Sequence, residues 1–301
     1  MGTTGGGAVE DVWRAQNVWS RAAVRQKNVV GRARTAALAC GVAAAVLGAL
    51  AARLLGVSTA AGRPVAFLAL LAAGAVPLCL RGADAARLET WARLRSVSET
   101  LKSETYLYLA GLGPYGDGAR RDAELAARTG RVLADAADLD PLIADIVPAV
   151  RPLPPVHDRD SYVRDRLRVQ ITEYYRPQAR VMARRTRQFE RAGLALAAVS
   201  VVLGAVASVF AVGQAAAWIP VASTVITALA AHAAASRYAA QHLEYSRTAG
   251  ELARLLTWWE GLVTPTDGDT RHLAEHCEHI ISVQNEGWMA RLTAAEGAPP
   301  A

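Results

Sequence analysis

Apolar and polar positions are segregated along this chain rather than interleaved. Residues 36–52, 64–80, 192–212 and 217–236 contain no Asp, Glu, Lys or Arg, and nearly all of the charge lies between and outside them. A helix needs about 20 apolar residues to cross the hydrocarbon core of a bilayer. The third and fourth segments meet that length; the first two are marginal and rich in Ala and Gly. Four buried helices of a soluble bundle would carry a polar face, and these segments carry almost none. The pattern predicts an all-α membrane protein. Its four transmembrane helices form two tandem two-span hairpins with long cytoplasmic helical stalks.

The polar stretches predict the rest. Residues 1–7 are Gly/Thr-rich and read as disordered. Residues 9–34 read as a helix running straight into the first span, because no Pro or turn signal interrupts it. Residues 57–63 form the first outer turn, Pro64 opens the second span, and Pro77 bends it near its inner end. Polar helices are expected over 83–110 and 119–137, separated by a break from Gly111 to Gly118. Five prolines between Asp138 and Asp160 mark a partly extended linker. A second basic helix over 161–191 leads into the third span, followed by a tight turn near Gly213 and a fourth span from about Trp218. Helices over 237–262 and 270–294 and a loose tail from Gly297 complete the chain. The segments are therefore 1–112, a first hairpin unit; 113–160, a linker with a short helix; 161–262, a second hairpin unit; and 263–301, a C-terminal helix and tail.

The order of parts occurs twice. Val46-Leu47-Gly48-Ala49 returns as Val202-Leu203-Gly204-Ala205, 156 residues later. At a spacing of 152, Arg95, Glu99, Lys102 and Tyr106 align with Arg247, Glu251, Arg254 and Trp258. Trp19 lies 16 residues before the first span, roughly 24 Å out at about 1.5 Å per residue, and Tyr175 lies as far before the third. Both are too distant for a headgroup belt. Together with Trp91, Tyr106, Tyr174 and Trp258 they are expected to pack each stalk against its returning arm. Trp218 fits an interfacial anchor instead.

Charge orients the chain. Residues 1–34 carry six Lys and Arg and residues 81–190 carry nineteen, whereas Arg53 and Arg63 are the ones near the first outer turn. This bias places both termini and the centre in the cytoplasm of a multi-pass protein of the cytoplasmic membrane. The net charge of +6 then reads as positive-inside bias plus attraction to anionic lipid. Nucleic acid is not an expected partner, because the basic residues are scattered among acids and adjoin the membrane. Thirty-four mostly polar residues before the first span argue against a cleavable signal. The three cysteines, Cys40, Cys79 and Cys277, are not expected to form a structural disulfide.

Candidate chemistry is sparse. Ser200, Gly204 and Ser208 recur every four residues along the third span, and Cys40, Ala44 and Gly48 do the same along the first. Small residues at this spacing let helices approach closely; a polar stripe along a pore is the functional alternative. The fourth span carries Thr224, Thr227 and His232, the last being the ionisable group well within a span. His272, His276 and His279 cluster on the last helix and could hold zinc with a fourth ligand from elsewhere. No Cys-x-x-Cys accompanies them, so a solvated polar face is the simpler reading. The pairs Glu99–Lys102 and Glu251–Arg254 read as i, i+3 salt bridges. No phosphate loop, nucleophile elbow or metalloprotease motif is present, so neither an enzyme nor a cofactor is expected.

The chain resembles the SLATT families, two-transmembrane effector domains associated with SMODS nucleotidyltransferases and SLOG sensors, in a tandem form. The resemblance rests on the aromatic-bearing helices before each hairpin (Val18-Trp19 and Tyr174-Tyr175), the hairpins themselves, and the helix Ser98-Glu99-Thr100-Leu101-Lys102-Ser103-Glu104. It implies a membrane effector of bacterial conflict systems that oligomerises into a pore on a nucleotide signal. The chain shows no nucleotide-making or nucleotide-binding domain, so the sensor would be a separate protein or the cytoplasmic arms. The expected function is a homo-oligomeric effector that forms or gates an ion-permeable pore in the lipid bilayer. The alternative is a non-conducting scaffold or sensor whose stalks bind a partner.

Overall fold

The computed structural model describes residues 5–116, 118–209 and 218–294. It is 87% helical, and the described residues contain no strand. Helix α1 (Gly5–Leu55) runs unbroken for 51 residues, as the absence of Pro and turn signals requires. Its start at Gly5 corrects the expected disorder over 5–7. Helix α2 (Thr59–Leu80) begins five residues before Pro64, capped by Ser58, whose Oγ accepts from the Ala61 N–H at 3.4 Å. The first turn is therefore Gly56–Ser58, and Pro64 and Pro77 both lie inside α2. The cap hydroxyl, not the proline, sets the helix start.

After a 3₁₀ turn at Arg81–Ala83, helix α3 (Ala85–Ala110) follows. It stops at Gly111 and Gly113, whose φ values of 66° and 60° suit glycine. Helix α4 (Arg121–Asp135) and the short α5 (Asp140–Ile143) precede the proline-rich stretch. Helix α6 (Arg159–Val209) is continuous, with π-type hydrogen bonding over Val163–Arg168 and Gln170–Tyr175. Helix α7 (Ile219–Ser236) and helix α8 (Tyr238–Glu260) are parted by Arg237, a left-handed joint at φ 52°. Helix α9 (Asp267–Ala294) is last. The turn expected near Gly213 and the tail from Gly297 lie outside the described residues.

The chain divides into two compact units, each built from separate stretches of sequence. The first comprises the described residues of Met1–Asn28, Ala85–Ala179 and Leu243–Ala301. Here α1 and α3 pair antiparallel around Trp19, Ala22, Leu94, Val97 and Leu101, with Ala136 and Leu139 closing the cluster. Val9, Tyr108, Tyr115 and Leu125 form a second cluster. The C-terminal helix does not stand apart: α9 packs along α3 and buries Leu273, Ala274, Cys277 and Ile281.

The second unit comprises Val29–Asp84 and the described residues of Arg180–His242. It holds the four most apolar stretches. Among the described residues, four helices are long and apolar enough to cross a membrane, with window hydropathies of 2.1, 1.9, 2.3 and 1.4. In α1 and α2 the neighbours run antiparallel: Leu55 by Gly62, Cys40 by Cys79, Ala33 by Gly82. In α6 and α7, a Cβ on Gly204 would meet Ile219 Cδ1 at 3.8 Å, and Phe189 meets His232 at 5.3 Å between ring centroids.

Candidate functional site

The first unit is organised around a buried polar cluster rather than a plain stalk seam. Arg166, on the π-type stretch of α6, is fully buried. Its Nε donates to Glu278 Oε1 at 2.9 Å and its Nη2 to Glu278 Oε2 at 2.6 Å, a bidentate pair between α6 and α9. Nη1 donates to the Gln170 amide oxygen at 3.1 Å, which also accepts from Lys102 Nζ at 3.2 Å. Tyr106 of α3 offers its ring face to the guanidinium at 4.8 Å. Tyr162 donates its hydroxyl to Glu278 Oε1 at 2.7 Å, and Ser103 also bonds that carboxylate.

Electrostatics follow from this packing. Burial alone would raise the Glu278 carboxyl, but the Arg166 charge and the hydrogen bonds of Arg166, Tyr162 and Ser103 hold it below its ordinary value. Burial, then the Glu278 charge, pushes the Cys277 thiol up to about 12. Burial lowers the Lys102 ammonium, with Arg166 and Arg151 adding to the effect against the pull of Glu99. Lys102 is therefore turned to Gln170, not locked in the expected surface pair with Glu99. In α8 the carboxylate of Glu251 bonds Arg247 at 2.9 Å, in place of the expected Arg254.

The aromatic residues expected in the arms are drawn inward. Trp19 is buried against α3, and Trp91 is half-buried beside it with Lys27 Nζ 5.9 Å above its ring. Tyr174 accepts from Arg95 at 2.9 Å and packs edge-on to Tyr175 and Tyr245. Burial pushes the Tyr174 hydroxyl up to about 12. Trp258 meets His272 edge-on at 5.0 Å.

His272 and His276 stack at 4.0 Å. Among the described residues no group of three or more His, Cys, Asp or Glu is placed to hold a metal. The expected set of His272, His276 and His279 is thus not assembled. The first two rings are taken up by each other and by Trp258, and all three histidines lie on the exposed side of α9.

The proline-rich linker is extended but not free. Three α1 side chains spaced four apart hold its backbone: Arg21 donates to Val147 O, Asn17 Oδ1 accepts from Ala149 N at 3.3 Å, and Trp13 Nε1 donates to Pro152 O at 3.0 Å. Four helical residues rise about 6 Å and extended chain advances about 3 Å per residue, so linker groups two or three residues apart meet successive turns of α1.

In the second unit the span residues separate by environment. Ser200 Oγ donates to Leu196 O at 2.8 Å, Thr224 to Pro220 O at 2.8 Å and Thr227 to Ser223 O at 3.0 Å. Each hydroxyl is thus satisfied by its own helix. Ser208, Thr224 and Thr227 are exposed, whereas Ser200, Gly204, Cys40, Ala44 and Gly48 are half-buried. A Cβ on Gly48 would meet nothing within 4 Å, so the close approach expected there is not made within one chain. The Cys40 and Cys79 thiols face each other across α1 and α2. His232 is engaged at the α7–α8 joint. Its ring lies near Arg34, is 3.5 Å from Ser236 Oγ, and packs on Phe189, which stacks in turn on Tyr238.

Sequence reasoning missed Arg166, Glu278, Gln170 and Tyr162. Arg166 and Glu278 lie 112 residues apart, and no local pattern links them.

No curated protein and no solved structure matches the chain. Residues 17–123 match a family described as a protein of unknown function, DUF4231. Residues 162–288 match the SLATT_1 family, described as SMODS and SLOG-associating 2TM effector domain 1. That stretch contains α6 from its buried arginine onward, the third and fourth apolar stretches, and α9 through its carboxylate partner. Over residues 162–288, the chain is similar to the SLATT family of membrane effector domains.

Proposed function

We propose that this effector self-associates in the cytoplasmic membrane, with both termini in the cytoplasm, and forms or gates an ion-permeable pore. The observation that carries the proposal is how little the spans cover one another. In their most apolar windows only 6%, 0%, 0% and 17% of residues are buried within the chain. Four helices so uncovered enclose no path in one protomer, so a lumen needs several copies. The half-buried Ser200 and the exposed Ser208, Thr224 and Thr227 supply hydroxyl oxygens that remain free to accept from water or to coordinate an ion. The apolar stretches hold no carboxylate, which argues against ion-coupled transport and against a permanently open aqueous channel.

The unit is a two-span hairpin present in tandem, the second copy lining the lumen and the first packing around it. The role is not enzymatic. The trigger belongs to a nucleotide-signalled conflict system, with the sensor on a separate protein. Purified full-length chain in a planar bilayer should give discrete conductance steps. A silent bilayer containing intact oligomers would overturn the pore. It would favour a non-conducting scaffold whose arms bind a partner.

A further inference from the structure

In the second unit, three arginines share one exposed side of one helix. Val29–Asp84 and Arg180–His242 contain eleven Arg, no Lys and two acids, Asp84 and Glu190. Arg184, Arg187 and Arg191 lie in the last turns of α6 before the charge-free segment 192–212. At about 100° per residue they fall within an arc of roughly 60°. All three are exposed, and among the described residues none has an ion-pair or hydrogen-bond partner. The opposite side of the same turns is used inside the protein. Arg185 lies over the Tyr238 ring at 5.5 Å and Phe189 packs on His232 and Tyr238. By the same wheel the two sides are roughly 150° apart. The arginine side is therefore turned away from α7 and α8.

Height along the helix selects the ligand. Arg191 is one residue before the apolar segment; Arg187 and Arg184 stand about 6 and 10 Å further out at about 1.5 Å per residue. The polar headgroup layer is on the order of 5–8 Å deep on each side of the hydrocarbon, within reach of all three extended side chains. Guanidinium groups bind phosphate oxygens through paired N–H donors. We propose that Arg184, Arg187 and Arg191 form a binding face for the phosphates of anionic phospholipid headgroups. The proposal rests only on α6 spanning the membrane, not on the pore.

The test is a titration of the detergent-solubilised full-length chain with short-chain phosphatidylglycerol and, separately, with short-chain phosphatidylcholine. The chain should prefer phosphatidylglycerol. An arginine near an anionic surface changes affinity roughly fivefold, so R184Q/R187Q/R191Q should weaken the phosphatidylglycerol Kd by on the order of a hundredfold. Phosphatidylcholine binding should move little. R184K/R187K/R191K should retain most of the preference, which guards against a folding artefact. R120Q/R131Q/R271Q removes the same net charge from exposed sites in the other unit and should leave the preference intact. Equal binding of the two lipids by the unaltered chain would overturn the proposal. So would equal losses in the two glutamine triples.

Discussion

Replacing Glu278 with Ala should be far more damaging than replacing both members of its ion pair. Arg166 is fully buried and directs three donors at two residues. Removing the carboxylate leaves that guanidinium without its anion where water does not reach. Breaking a buried pair from one side costs about 3–5 kcal/mol, a loss of more than a hundredfold in the folded fraction. R166M/E278L removes the charge along with its counter-ion and fills similar volume, so most of the loss should return. The assay is denaturation of detergent-solubilised protein, followed by the fluorescence of the arm tryptophans Trp13, Trp19, Trp91, Trp258 and Trp259. A single variant losing less than about 1 kcal/mol, or a double variant as weak as the single, would refute a stabilising role for the pair. Acidity provides a second handle. The Glu278 carboxyl is held below its ordinary value of 4.5. Its contribution is therefore complete above that value and is lost as pH falls through the lower, folded value. E278Q should lack that part of the acid loss.

Other outcomes follow from the span contacts and the joint. Gly204→Leu should splay α6 from α7, because even a Cβ there meets Ile219 at 3.8 Å; unchanged oligomer size and unchanged toxicity on overexpression would remove this contact from the argument. Mild copper-catalysed oxidation should join Cys40 to Cys79 within one chain, visible as a reducible gel shift that Cys40→Ser abolishes; linkage solely between chains would contradict the antiparallel pairing of α1 and α2. Arg237→Gly should be neutral or stabilise by up to about 1 kcal/mol, since glycine adopts φ 52° without strain; a large loss in thermal stability would show that the side chain, rather than the backbone, holds the joint.

Much of the helical order could be read from residue patterns alone. Segregation of charge gave the spans, uninterrupted sequence gave the length of α1, and paired glycines gave the end of α3. The start of α2 was misread because Pro64 is a strong local signal, while the decisive hydroxyl of Ser58 is a weak one. Proline content correctly marked an extended linker. Its attachment was not legible, since α1 recognises the linker's backbone groups and any sequence supplies those. The arm aromatics were found by their distance from the spans. Arg166 and Glu278 stayed hidden among many charges because a charged side chain at the edge of an apolar face is ordinarily solvated. Only the meeting of α3, α6 and α9 makes that position interior. His232 stood out as an ionisable group in an apolar stretch, but only its neighbours place it at a helix joint.

The π-type turns of α6 carry a consequence for how this chain can vary. A π turn spends one more residue per hydrogen-bonded loop than an α turn, so it behaves as a single-residue insertion that the helix has absorbed. Losing one residue between Val163 and Tyr175 could restore ordinary α-helical bonding without breaking the rod. It would also turn everything beyond by about 100° and draw it back by about 1.5 Å. Within the first unit, Arg166 and Tyr175 would then no longer hold their present phase along the helix. Length between these points is thus under tighter constraint than composition. Substitutions there can be absorbed locally, whereas a one-codon deletion acts at a distance.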